Sequence, residues 1–153
     1  IAYEILAWNP LGNTLLGDLE ARPAHDRNVI RWIFRAPDVA ERLRDPEERR
    51  FVQASVADLR AAAGKYPHDQ GIRDLVAELL GCSPEFAALW RAHEVRIRRD
   101  QRKTMYHPLT GRIELTCQVL PLPDGDLRLV LFIAEPGSPA AEALRRIRAA
   151  LPA

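Results

Sequence analysis

From Asp45 to about Val95 the apolar residues recur every three or four positions, and from Ile113 onward they recur every second one. That change of period divides the chain into a helical stretch and a strand-rich one. In the first stretch Phe51, Val52, Ser55, Val56, Leu59 and Ala63 form one stripe. Asp45 is the expected N-cap of this helix, Pro46 suits its first position, and Glu48 completes a capping box. Gly64 is expected to end it in a left-handed cap. Asp69 opens a second helix, in which Ile72, Leu75, Val76, Leu79 and Leu80 make an apolar face before Gly81. The third runs over Ser83–Val95, with Ser83 as cap, Pro84 first, and Glu85 at the positive end of the dipole. Phe86, Leu89, Trp90 and His93 fall at i, i+3, i+4 and i+7, hence on one face. Two large aromatics on one stripe need a thick partner surface, and an indole N–H needs an acceptor.

The strand-rich stretch reads as a meander. Ile113, Leu115, Cys117 and Val119 alternate with Arg112, Glu114, Thr116 and Gln118, the pattern of a half-buried antiparallel strand. Asp124-Gly125 is a turn pair, and Leu127–Ala134 returns as its hairpin partner. Ile97–His107 is expected to be a further strand, joined through Pro108–Gly111. Ser138-Pro139 caps a closing helix that runs to about Leu151. Ahead of the three helices, Tyr3–Trp8 is rich in β-formers and predicts a strand ending at Asn9-Pro10. Leu11, Leu15, Leu16 and Leu19 suggest a short helix, and Val29–Phe34 a compact apolar one closed by Pro37. The order is strand, helices, then a three-stranded meander and a helix. An antiparallel sheet with helices on one face is α+β architecture.

Composition narrows the class. With 153 residues, the chain is one domain's worth and long enough to bury a core without staples. Its formal net charge of +1 recommends neither nucleic acid nor an anionic membrane as a global partner. No apolar run approaches a membrane span. Cys82 and Cys117 have no metal-ligand spacing and read as buried, reduced thiols. The chain opens on Ile1 rather than Met, as a piece cut from something longer would.

Local chemistry is sparse. His25, His68, His93 and His107 make no His-x-x-x-His pair, so no metal site has local support. His93 extends the Phe86–Trp90 stripe, either as a core-edge imidazole or as a polar anchor at the mouth of a cavity. His107 reads as a turn residue. Cys117 lies on the apolar side of its strand, where a thiol is inert. Arg91, Arg96, Arg98, Arg99, Arg102, Lys103 and Arg112 form one basic cluster. It reads as solvated charge that discourages edge pairing, or as a phosphate-facing or docking patch. Trp8, Trp32, Phe34, Phe86, Trp90 and Phe132 supply either a plain core or a mostly apolar pocket. Asn9, Asn28, Arg60 and His93 would then be its orienting groups.

Several stretches together resemble the MmyB-like transcription regulator ligand-binding domain. They are Glu4–Asn9, Arg27-Asn28, Leu59–Gly64, Leu75–Leu79, Ser83–Phe86, Leu89-Trp90, His93–Val95, His107-Pro108, Gly111 and Ala134–Ser138. The resemblance covers essentially the whole chain in order. It departs at the start of the long helix, where Asp45-Pro46-Glu47-Glu48 stands in place of the family's usual Asp-Trp-Glu. It implies a single PAS-like domain over residues 1–153, the cytoplasmic sensor half of an XRE-type helix-turn-helix regulator, with DNA read by a domain upstream. It implies no cofactor, no membrane, a possible homodimer, and a small apolar ligand such as a fatty acid or secondary metabolite. The expected site lies between the Ser83–Val95 helix and the sheet. Trp32, Leu79, Phe86, Trp90, Leu115, Cys117 and Phe132 would line it, with Asn28, Arg60 or His93 orienting the guest. A ligand-free dimerisation module is the first rival reading, and a small enzyme pairing Cys117 with a histidine the second.

Overall fold

The computed structural model describes residues 3–92, 101–123 and 127–152. The chain forms two compact units: Ile1–Ala7 with Arg22–Arg98, and Trp8–Ala21 with Arg99–Ala153. The described secondary structure is α+β, with helices in both units and an antiparallel sheet in the second.

The first unit is helical. It contains α2 (Val29–Arg35), α3 (Val39–Arg42), α4 (Pro46–Lys65), α5 (Gln70–Cys82) and α6 (Pro84–Ala92). Start signals act where the sequence places them. The Asp45 side chain accepts from the Glu47 and Glu48 amides at 2.7 and 3.0 Å, and Asp69 from Ile72 at 2.9 Å. Ser83 accepts from Phe86 at 3.1 Å. The other half of the expected capping box is spent differently, because the Glu48 carboxylate pairs with Arg42 at 2.9 Å. Gly64 does not end α4. The helix continues to Lys65 and closes on Tyr66, whose N–H donates to the Ala62 carbonyl at 2.8 Å. Glycine permits a left-handed cap but does not impose one. Ile30, Ile33, Phe34, Val52, Val56, Leu59, Ile72, Leu75, Leu79 and Phe86 are buried together as this unit's core.

The expected strand over Tyr3–Trp8 is not formed. Glu4 makes one isolated bridge to Asn28, flanked by Ile5 N–H to the Arg27 carbonyl and Val29 N–H to the Tyr3 carbonyl. A strand needs a neighbour of its own length, and the backbone at Arg27–Val29 turns at once into α2. The Tyr3 hydroxyl anchors the segment by donating to Asp58 at 2.8 Å.

The second unit holds α1 (Pro10–Leu15), β1 (Gln101–His107), β2 (Gly111–Pro121), β3 (Arg128–Ile133) and α7 (Pro139–Ala149). The strands form an antiparallel meander in the order β1-β2-β3, with Met105 opposite Ile113 and Cys117 opposite Phe132. Gly111 turns β1 into β2 at φ +73°, a conformation that a side chain would strain. Directly opposed residues share a face, so Met105, Ile113, Leu115 and Phe132 point to one side. There they meet Leu144 and Ile147 of α7 and Leu11 and Leu15 of α1. Burial fades along β2, from Ile113 and Leu115 at 1–2% exposed to half-buried Cys117 and Val119. The Asp124-Gly125 turn pair lies outside the described residues, as does the Ile97–Asp100 part of the expected first strand.

Candidate functional site

Aromatic side chains on α2 and α6 build the distinctive feature of the helical unit. Phe86 is fully buried, edge-on to Phe34 with ring centres 5.0 Å apart, and stacked on Trp90 at 5.5 Å. These follow from spacing, since Phe86 and Trp90 are one helical turn apart. Trp90 itself is half-buried. The Arg60 guanidinium of α4 lies 5.0 Å from the Trp90 ring centre, within cation–π range. Its Nη2 donates to the Leu89 and Trp90 carbonyls at 3.0 and 2.6 Å. Those carbonyls belong to the C-terminal half of α6, where a cation suits the helix dipole. Arg60 thus ties α4 to α6 through the ring and through two backbone carbonyls. Its Nε is buried and has no acceptor among the described residues.

Beside Trp90 opens an apolar groove of about 230 Å³. Ala63 and Tyr66 contribute from the end of α4, Ile72, Val76 and Leu80 from α5, and Trp90 from α6. Among the described residues, Arg73 is the only charged side chain that lines it. Sequence reasoning missed this groove, although the signal was present. Ile72, Leu75, Val76, Leu79 and Leu80 span more of α5 than one neighbour covers. Leu75 and Leu79 fill the core, while Leu80 is left 41% exposed.

The other expected site residues have separate settings. Leu79 is fully buried in the helical core. The Asn28 side-chain oxygen accepts from the Arg31 amide at 3.1 Å as the N-cap of α2. The Trp32 indole donates to the Asp26 carbonyl, and Arg22 lies 4.8 Å from its ring centre. Leu115 and Phe132 belong to the core of the second unit, with Cys117 across from Phe132. His93 lies outside the described residues. Of the ten, Leu79, Phe86 and Trp90 share one cluster, and Arg60 joins it through Trp90. The expected burial of both thiols is corrected, since Cys82 is exposed and Cys117 is half-buried. Cys82 ends α5 beyond the turn that Leu79 buries. The His107 Nδ1 accepts from the Leu109 amide at 3.1 Å, as a turn residue does. Among the described residues no helix is long and apolar enough to cross a membrane.

An ion-pair cluster ties α2 to α5. Arg31 donates through Nε and Nη2 to the Glu78 carboxylate at 3.0 and 2.8 Å, and Arg35 reaches it at 2.6 Å. The hydrogen bond from Arg31, and the positive charge of both arginines, hold the Glu78 carboxyl below its ordinary value of 4.5 against a smaller desolvation effect. A lowered folded-state value means that this contribution is complete above the unfolded value and is lost as pH falls through the folded one. Glu78→Gln is therefore expected to cost about 1 kcal/mol at neutral pH, discounted for partial exposure. The wild type and variant should converge in strongly acidic solution. Urea midpoints measured at both pH values check this, and an equal gap at each would contradict it.

A family model described as the MmyB-like transcription regulator ligand binding domain matches residues 2–147. No curated protein and no solved structure matches the chain.

Proposed function

The chain belongs to the MmyB-like transcription regulator ligand-binding domain family, and from that premise we propose that it senses a small, mostly apolar molecule bound against Trp90. The observation that supports this reading is the groove itself, apolar along its walls and bordered by an aromatic ring that two neighbours hold in place. Its volume suits a guest of modest size, or one end of a longer chain. Among the described residues the charged groups nearby are cationic. Arg73 lines the groove, and the Arg60 guanidinium that faces Trp90 has an Nε–H with no acceptor among the described residues. A guest with an apolar body and an acceptor or carboxylate at one end matches both, and fatty acids or small secondary metabolites are of that kind. Leu79 and Phe86 would support the guest from the core behind Trp90.

In this reading the partners are the small molecule, a second copy of the chain, and DNA contacted through a helix-turn-helix domain, in the cytoplasm and without catalysis. The ligand acts by favouring one of two helix arrangements, and only by as much as its affinities for the two differ. Thermal unfolding with and without octanoate, decanoate and dodecanoate tests the proposal, followed through tryptophan fluorescence. A saturable rise of a few degrees is expected at ligand concentrations well above Kd. No shift with any of them, together with no co-purifying small molecule in native mass spectrometry, would favour a ligand-free module.

A further inference from the structure

Tyr3 of the helical unit sits at φ +66°, in the left-handed region that an aromatic side chain disfavours. Hydrogen bonds on both backbone and side chain keep it there. Its carbonyl accepts from the Val29 N–H at 3.1 Å, and its hydroxyl donates to the Asp58 carboxylate at 2.8 Å. Just beyond it, the Ile5 N–H donates to the Arg27 carbonyl at 2.8 Å. The Tyr3 ring also packs against the helical core. A residue at a disfavoured φ stays there only while its surroundings hold it, and such positions belong to clamps and switches.

What holds Tyr3 is the framework of the groove. Asp58 and Arg60 leave α4 about 200° apart, on opposite sides of one turn, and fully buried Leu59 lies between them in sequence. Arg60 reaches α6 through the Trp90 ring and the Leu89 and Trp90 carbonyls. One turn of helix therefore joins the Tyr3 hydroxyl to a wall of the groove. The backbone bonds lead to the same wall by another route. Val29 opens α2, and Phe34 on α2 lies edge-on to Phe86, which stacks on Trp90. Contiguity of this kind permits coupling, and only a measured coupling establishes it.

We propose that Tyr3 and Asp58 are a positioning pair for the groove. Their hydrogen bond holds α4 where Arg60 meets Trp90, and a guest against Trp90 in turn tightens the hold on Tyr3 and Ile5. This rests on the reading that the groove binds a small apolar molecule, and it adds how that site is regulated. The direction of the effect follows from the geometry. The groove and the Tyr3–Asp58 bond belong to one arrangement of the helices. A guest that fits the groove favours that arrangement over one in which Tyr3 has come away. Linkage makes the effect reciprocal, so releasing Tyr3 weakens the guest by the factor by which the guest tightens Tyr3.

The test is calorimetric titration of the 153-residue chain with octanoate, decanoate and dodecanoate, at a temperature where circular dichroism shows every variant folded. Tyr3→Phe keeps the ring and removes the donor, and Asp58→Ala removes the acceptor. Each should weaken binding at least about threefold, within the net worth of one hydrogen bond. The double variant should bind no more weakly than Asp58→Ala alone. Glu48→Gln, which breaks the ion pair to Arg42 near the start of α4, should leave affinity unchanged. A loss of stability alone does not move the affinity of folded protein, so this readout separates positioning from support. Amide exchange reads the reciprocal effect: saturating guest should slow the Ile5 and Val29 amides at least about threefold in the wild type, and less in Tyr3→Phe. If none of the three acids binds the wild type, the groove reading falls and this proposal with it. Binding that is equal in wild type and Tyr3→Phe, or tighter in the variant, would overturn the proposal alone and leave the groove reading standing.

Discussion

Phe86→Ala is expected to cost about 3–5 kcal/mol of unfolding free energy in the helical unit, the range for removing a large aromatic from a closed core. The ring is fully buried and belongs to the cluster that joins α2, α4, α5 and α6. Its edge-to-face partner Phe34 and its stacking partner Trp90 both lose a contact when it goes. Such pairs add about 0.5–1.5 kcal/mol beyond the area they bury. The loss should appear in urea unfolding followed by far-ultraviolet circular dichroism, with faster hydrogen exchange across α5 and α6. Phe86→Leu restores most of the volume without the ring geometry and should cost markedly less. A loss under about 1 kcal/mol for the alanine variant would show that the aromatic stack is not what holds these helices together.

The features legible beforehand were those where one local rule had no competitor. Asp45, Asp69 and Ser83 each cap the helix that follows, because an oxygen at that position meets amides that nothing else satisfies. The alternation over Ile113–Val119 and its pairing with Arg128–Ile133 survived for a similar reason, since a one-residue slip would turn Ile113 and Leu115 out of the core. Tyr3–Trp8 shows where local rules stop. Its residues favour extended backbone, yet sheet formation depends on a partner supplied elsewhere, and among the described residues Glu4 makes a single bridge, to Asn28. Gly64 shows the same from the other side, where a permissive residue left the outcome to the turn that follows.

The candidate site was legible as a list of side chains but not as a division of labour. Asn28 reads as a polar anchor in sequence, and in space its oxygen is committed to the first turn of α2. Arg60 reads as a charged residue beside a stripe. Only the fold reveals that it reaches about thirty positions along the chain to backbone carbonyls of α6. The groove depends on the part of the α5 face that the core leaves uncovered, and periodicity cannot divide one wide stripe between two surfaces. Length and burial bear on this too: helices supply a groove where they diverge, and divergence is a property of their packing.

That division leads to the second large effect, at Trp90. Because the ring is half-buried, Trp90→Ala should cost about 2 kcal/mol, well short of Phe86→Ala, from lost stacking and the lost Arg60 cation–π contact. Its effect on ligand affinity should be larger in proportion. If the guest lies along the Trp90 side of the groove, binding of the acyl carboxylate that gives the largest thermal shift should weaken at least tenfold, about 1.4 kcal/mol. Trp90→Phe keeps a ring against Phe86 and should recover most of the stability, but only part of the affinity, since it shortens the groove wall. Arg60→Met separates the two roles of the cation. It retains an apolar stem against Trp90 while removing the donors to the Leu89 and Trp90 carbonyls, so the tie between α4 and α6 should weaken. Calorimetric titration and chemical unfolding on the same three variants distinguish the possibilities. A Trp90→Ala protein destabilised as much as Phe86→Ala, with its ligand affinity unchanged, would make Trp90 a core residue and remove the groove from the binding reaction.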